Sequence, residues 1–127
     1  MARTLQYIEG AYRANIEEQD DPAVWITGAI KGAGGELSVL LGGNAVNYAV
    51  KGQDASGLSF GARAQTQPPR IADDLSRLIA KGVEVSVVAD DAAERGLERT
   101  AFIEGVRTVS RSELAKLFAG YDRIFRW

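Results

Sequence analysis

The sequence predicts an α/β fold in which a mainly parallel five-stranded sheet carries helices on both faces as a three-layer sandwich. Three observations carry that prediction. Short runs of strand formers alternate with runs of helical spacing along the chain. The second strand run, Glu36 to Leu41, ends almost continuously apolar, as suits a central parallel strand covered on both sides. No clear hairpin signal interrupts the alternation.

Thr4 to Glu9 is the first predicted strand, with Leu5, Tyr7 and Glu9 on one face and Gln6 and Ile8 on the other. Ala11 to Gln19 reads as a ragged helix or a loop. Asp21 as N-cap with Pro22 in the first helical position then starts a helix, and the acids before it (Glu17, Glu18, Asp20, Asp21) suit its positive end. Ala23, Ile26, Ile30 and Ala33 recur at helical spacing, with Trp25 and Ala29 beside them, up to the stop at Gly34-Gly35.

After the second strand, Gly42-Gly43-Asn44 makes a tight turn. The spacing beyond it predicts a helix over 45–51, with Ala45 and Ala49 on one face and Val46 and Val50 next to it. Gly52 to Gln67 has no usable periodicity and reads as a long loop, of the kind that serves as a lid, a binding segment or an oligomer contact, or is simply surface. Pro68-Pro69 opens the next helix, with Ile71, Leu75, Leu78 and Ile79 inward and Asp73, Arg77 and Lys81 outward.

Val83 to Val88 is the third strand, followed by Ala89-Asp90-Asp91 and a short helix towards Arg95 and Gly96. Either aspartate can cap that helix. Leu97 to Gly105 reads as an additional turn of helix, and Val106 to Val109 as the fourth strand. Ser110 and Glu113 form a capping box for the last helix, which carries Leu114, Leu117 and Phe118 and stops at Gly120. Asp122 to Trp127 is the fifth strand.

At 127 residues, 46% of them hydrophobic and 25% charged, the chain is expected to form one domain, residues 1–127, with an ordinary soluble core. Fifteen basic against seventeen acidic residues, with no Lys/Arg cluster, argue against nucleic acid. No apolar run approaches the length of a membrane span, and MARTLQYIEG lacks the order of a signal peptide, so a cytoplasmic protein is expected. The absence of Cys and His is sharper. It removes thiol nucleophiles, disulfides, imidazole acid/base chemistry and ordinary zinc sites.

A parallel sheet holds ligands outside the carboxyl ends of its strands. That rule gathers the connections beginning at Gly10 to Arg13, Gly42 to Asn47 and Ala89 to Asp91, with the terminal Trp127 at the same edge. The candidate ligand-binding residues are therefore Tyr12, Arg13, Gly42, Gly43, Asn44, Asn47, Asp90 and Asp91. Gly42 and Gly43 permit close backbone approach, the asparagines offer donors and acceptors, and Tyr12 or Arg13 closes the side. Each also has a plain structural use: the glycines for the turn, Asn44 and the aspartates for capping, Arg13 for pairing with Glu17. The turn lacks both GxGxxG and the Walker A lysine, which weakens dinucleotide and triphosphate readings.

The run of strand, GGNAVNYAVKGQ, long loop, helix, KGVEVSVVADDAAERGL, GV, capped helix and YDRIFRW resembles the DsrE/DsrF family of small sulfur-relay proteins over nearly the whole chain. The resemblance implies flavodoxin-like layering with strand order 4-3-2-1-5, and homo- or hetero-oligomers, often trimers or hexamers. In the sulfur-transferring members a persulfide-carrying cysteine lies near the end of the third strand, which falls at Val88 or Ala89 here. Neither side chain can replace a thiolate.

Three readings follow. The first is a non-catalytic homo-oligomer that binds a small ligand, anionic or polar, or a partner protein, accessory to sulfur metabolism. The second is an enzyme using Asp90, Asp91 or Glu9 as acid/base groups, and the third a nucleotide- or phosphate-binding module built on Gly42 to Asn44. No cofactor or metal is indicated. Trp25, Phe60 and Trp127, in segments that need not all fit one core, point to assembly.

Overall fold

The computed structural model describes residues 2–12, 20–54, 56–98 and 101–127. Five strands form one wholly parallel sheet: β1 (Arg3–Ile8), β2 (Glu36–Leu41), β5 (Glu84–Val88), β6 (Arg107–Val109) and β7 (Arg123–Arg126), in the spatial order β6-β5-β2-β1-β7. Renumbered along the chain within that sheet, this is the 4-3-2-1-5 order that the resemblance implies. The three most buried strands, β5, β2 and β1, sit side by side at the centre, with Ile8 opposite Leu41 and Leu41 opposite Val87.

Strand parity divides the core. Ile8, Val39, Leu41, Val85 and Val87 face α1 (Pro22–Gly32), α2 (Ile71–Ala80) and a 3₁₀ helix at Gly43–Ala49. Leu5, Leu40 and Val88 face the other way and meet Leu114, Leu117 and Phe118 of α4 (Leu114–Ala119). The second layer is thin, because α4 has only six residues and none of them is fully buried. Each fully buried Leu, Ile or Val contributes about 1.5–3 kcal/mol of burial free energy, so the first face carries most of the stability.

Asp21 caps α1 as expected: its carboxylate accepts from the amides of Ala23 (2.9 Å) and Val24 (3.2 Å), with Pro22 in the first turn. The buried face of α1 differs from the predicted stripe. Ala23, Val24 and Thr27 are buried, whereas Ile30 is exposed. Thr27 can go inward because its hydroxyl donates to the Ala23 carbonyl (2.7 Å) and accepts from the Gln6 amide (3.1 Å). On α2 the predicted faces hold, with Ile71, Leu75 and Leu78 buried and Asp73, Arg77 and Lys81 exposed.

Three other expectations are corrected. The helix predicted over 45–51 is a 3₁₀ helix at Gly43–Ala49, its N-cap is Gly42, and Asn44 does not cap it. The long loop contains an antiparallel hairpin, β3 (Ser59–Phe60) with β4 (Arg63–Ala64), closed by the Gln65 amide donating to the Leu58 carbonyl at 2.7 Å. Neither aspartate caps α3 (Ala89–Glu94): Val88 is its N-cap, and Asp90 and Asp91 lie in the first turn. The 97–105 stretch does hold the predicted turn of helix where it is described: Ala101 is in a 3₁₀ turn, its amide donating to the Glu98 carbonyl at 2.9 Å, Phe102 then bridges Val50, and residues 99–100 lie outside the described residues. So does most of the segment read as ragged helix or loop, residues 13–19, with Arg13 and Glu17. No helix among the described residues is long and apolar enough to cross a membrane.

Candidate functional site

The parallel register brings the ends of β1, β2, β5 and β7 to one edge. The Gly42 amide continues the ladder by donating to the Ile8 carbonyl (2.9 Å), and the Glu9 and Gly10 amides donate to the Trp127 carbonyl at 3.0 and 3.3 Å. Trp127 is anchored through its indole N–H on Gln6 Oε1 (3.1 Å). Thus the connections after β1 and β2 and the last residue meet at this edge.

Gly42 and Gly43 are required by close approach. A Cβ on Gly42 would lie 2.8 Å from Tyr7 Cε1 and 3.3 Å from Asp91 Oδ2, and Gly43 has a φ of +52° beside the Glu9 carbonyl. The Gly43 amide points out of the turn, as an anion-binding backbone would, but the chain supplies its own anion: Asp91 Oδ2 accepts from it at 2.7 Å. The other oxygen of Asp91 accepts from Arg111 (2.5 Å), which also reaches Glu94 (2.9 Å). Asp90 accepts from the Arg111 backbone amide (2.7 Å). Arg95 closes the cluster, donating to Asn44 Oδ1 at 2.9 and 3.1 Å and to the Asp91 carbonyl at 3.0 Å.

Electrostatics follow from these contacts. Partial burial pushes the Asp91 carboxyl up, but the Gly43 amide, Arg111 and Arg95 outweigh it and hold the group below its ordinary value. Arg111 is held above its own ordinary value by Asp91 and Glu94. The Tyr7 phenol is raised, first by burial and then by the nearby Glu9 and Asp91 charges, so it stays protonated at neutral pH and offers no phenolate. Glu9 pairs with Arg126 at 2.5 Å. Among the described residues, no group of three or more acidic, His or Cys side chains could hold a metal ion.

The structure therefore brings Gly42, Gly43, Asn44, Asp90 and Asp91 together. Asn47 turns back to the Asn44 carbonyl (2.9 Å), and its own carbonyl accepts from Gln53, whose Oε1 accepts from the Tyr12 hydroxyl (2.9 Å). Tyr12 packs edge-on against Tyr48, so Tyr12 and Asn47 form a neighbouring group on the α2 side of the sheet. Arg13 lies outside the described residues.

Tyr7, Glu94, Arg95, Arg111 and Arg126 were not among the residues singled out from the sequence. Strand parity already put Tyr7 on the face of Glu9, which is the one usable signal. Arg111 is placed only by the pairing of β6 with β5, a relation between distant segments.

The whole fold is shared with known structures. The ychN protein from E. coli superposes with a TM-score of 0.78 at 21% identity, over 100% of both chains. MTH1491, a protein of unknown function from Methanobacterium thermoautotrophicum, gives 0.68 at 14% identity, again over 100% of both chains. No family model matches the chain, and no curated protein does. At these identities the likeness shows the fold alone: the chain has a DsrE-like, layered α/β fold.

Proposed function

We propose that this chain is a non-catalytic DsrE-like protein, accessory to sulfur metabolism, that binds a small ligand or a partner protein as a homo-oligomer. The observation that carries the non-catalytic part is the state of the carboxylates at the sheet edge. Asp91 is tied to Gly43 and Arg111, Asp90 to the Arg111 backbone, Glu94 to Arg111 and Glu9 to Arg126. A general acid needs a raised pKa, and Asp91 is shifted the other way. Where the family resemblance expects the persulfide cysteine stand the buried Val88 and the half-buried Ala89.

Incubation with a persulfide donor is therefore expected to leave the intact mass of the chain unchanged. A stable, stoichiometric gain of one sulfur atom per chain would overturn this.

Exposed apolar side chains support the assembly. Trp25 on α1 is 59% exposed, Phe60 on the hairpin 64% and Phe125 on the edge strand β7 49%. Side chains of this kind are enriched in the buried centres of interfaces. The outer edge of β7 is also unpaired within the sheet, and an open edge invites a second chain. Light scattering is expected to give three or six times the 13.6 kDa chain mass. The monomer mass across a wide concentration range would sink the assembly.

A further inference from the structure

A cleft of about 600 Å³ opens between Tyr12, the segment leading into the hairpin and the start of α2. That is within the ~300–1,000 Å³ typical of small-molecule sites. The Asp91 and Arg111 cluster does not line it. One part of its wall is flat and apolar. Tyr12 is 55% exposed, yet its ring is seated on Tyr48 and its hydroxyl is held by Gln53; Pro68, Pro69 and Leu58 add apolar surface, the prolines with little conformational freedom to lose.

The charged part of the wall is Arg70, Asp54 and Asp73. Asp54 is occupied by the Ser56 amide at 2.9 Å. The Arg70 side chain makes no hydrogen bond or ion pair among the described residues. It also stands just before α2, where the helix field opposes a cation. No carboxylate of the described residues forms an ion pair with that guanidinium, which borders an open cleft that Tyr12 also lines.

We propose that this cleft binds a small aromatic carboxylate, of the size of an aromatic amino acid. The carboxylate pairs with Arg70, whose planar fork matches two carboxylate oxygens, and the ring lies against Tyr12 and the two prolines. Asp73 is free to accept from a donor on the ligand such as an α-ammonium. With two carboxylates in the wall against one guanidinium, a multiply charged phosphate is disfavoured.

Calorimetric titration of the full chain with tryptophan, indole-3-acetate, indole and inorganic phosphate tests this, alongside Arg70→Gln and Tyr12→Ala. Both side chains are exposed, and unchanged circular dichroism checks that each variant folds. The two carboxylates are expected to bind saturably, with indole about tenfold weaker, as loss of a charge-assisted bidentate contact implies. Arg70→Gln should weaken the carboxylates by a similar factor and leave indole unchanged, whereas Tyr12→Ala should weaken all three. No saturable carboxylate binding at millimolar concentration, equal affinity for indole, unchanged carboxylate affinity in Arg70→Gln, or tighter binding of phosphate would each overturn the proposal. The comparison with indole decides even if a variant fails to fold.

Discussion

Replacement of Asp21 by alanine is expected to lower the unfolding free energy by about 3 kcal/mol, the sum of a lost helix cap and a lost hydrogen bond from the Tyr48 hydroxyl to a charged group. Asp21 is fully buried. One carboxylate oxygen accepts from the Ala23 and Val24 amides, and the other accepts from the Tyr48 hydroxyl at 2.5 Å. The residue therefore joins α1 to the 3₁₀ helix that leaves β2, two elements distant in sequence that cover the same face of the sheet. Alanine fills neither role, and the Val24 and Ala23 amides at the helix start lose their acceptor.

Asparagine keeps an oxygen for the amides and so should cost less, about 1 kcal/mol. Urea unfolding followed by tryptophan fluorescence, at matched chain concentrations, measures both. An alanine variant within 1 kcal/mol of the parent would show that the α1 start relaxes onto another acceptor.

The capping role of Asp21 was legible because it is local: a carboxylate, a proline and a helical run in order. Its bond to Tyr48 was not, since 27 residues separate the two. The same division runs through the fold. Strand positions were readable from parity and apolar runs, and the inward face of α2 from its strong stripe. The stripe of α1 misled because Thr27 is buried by virtue of Gln6, on another element. Around 43–49 the buried residues are Ala45, Val46, Tyr48 and Ala49, a spacing that could not separate a 3₁₀ from an α helix. The hairpin escaped because each strand has two exposed residues, leaving only Gly61 at the turn as a signal.

For the candidate site, the rule that ligands gather at the carboxyl edge of a parallel sheet correctly placed Gly42, Gly43, Asn44, Asp90 and Asp91 near one another. The contacts that hold the aspartates, the Arg111 side chain on Asp91 and the Arg111 backbone amide on Asp90, depend on sheet order and helix phase, which composition does not carry. That difference matters for function, because aspartates alone read as acid/base candidates, whereas aspartates held by Arg111 and the Gly43 amide read as structural clamps.

Asp91 offers the corresponding test of the edge. Alanine there removes the acceptor of the Gly43 amide and one of two carboxylates on Arg111, and is expected to cost about 2 kcal/mol at pH 7, the scale of hydrogen bonds to a charged group. The Arg111 side is solvent-exposed, which keeps the ion-pair share small. The pH dependence has a definite sign. The folded-state pKa of Asp91 lies below its unfolded value near 3.9, so its contribution is complete above that value and is lost as pH falls through the folded pKa. The difference in stability between the parent and Asp91→Ala should therefore hold steady from about pH 5 upward and shrink below about pH 4. Denaturant unfolding across that range reads it directly. A difference that grows on acidification, or one that is absent at pH 7, would mean that the Gly43 turn is held by the backbone alone and that Asp91 is available for a ligand.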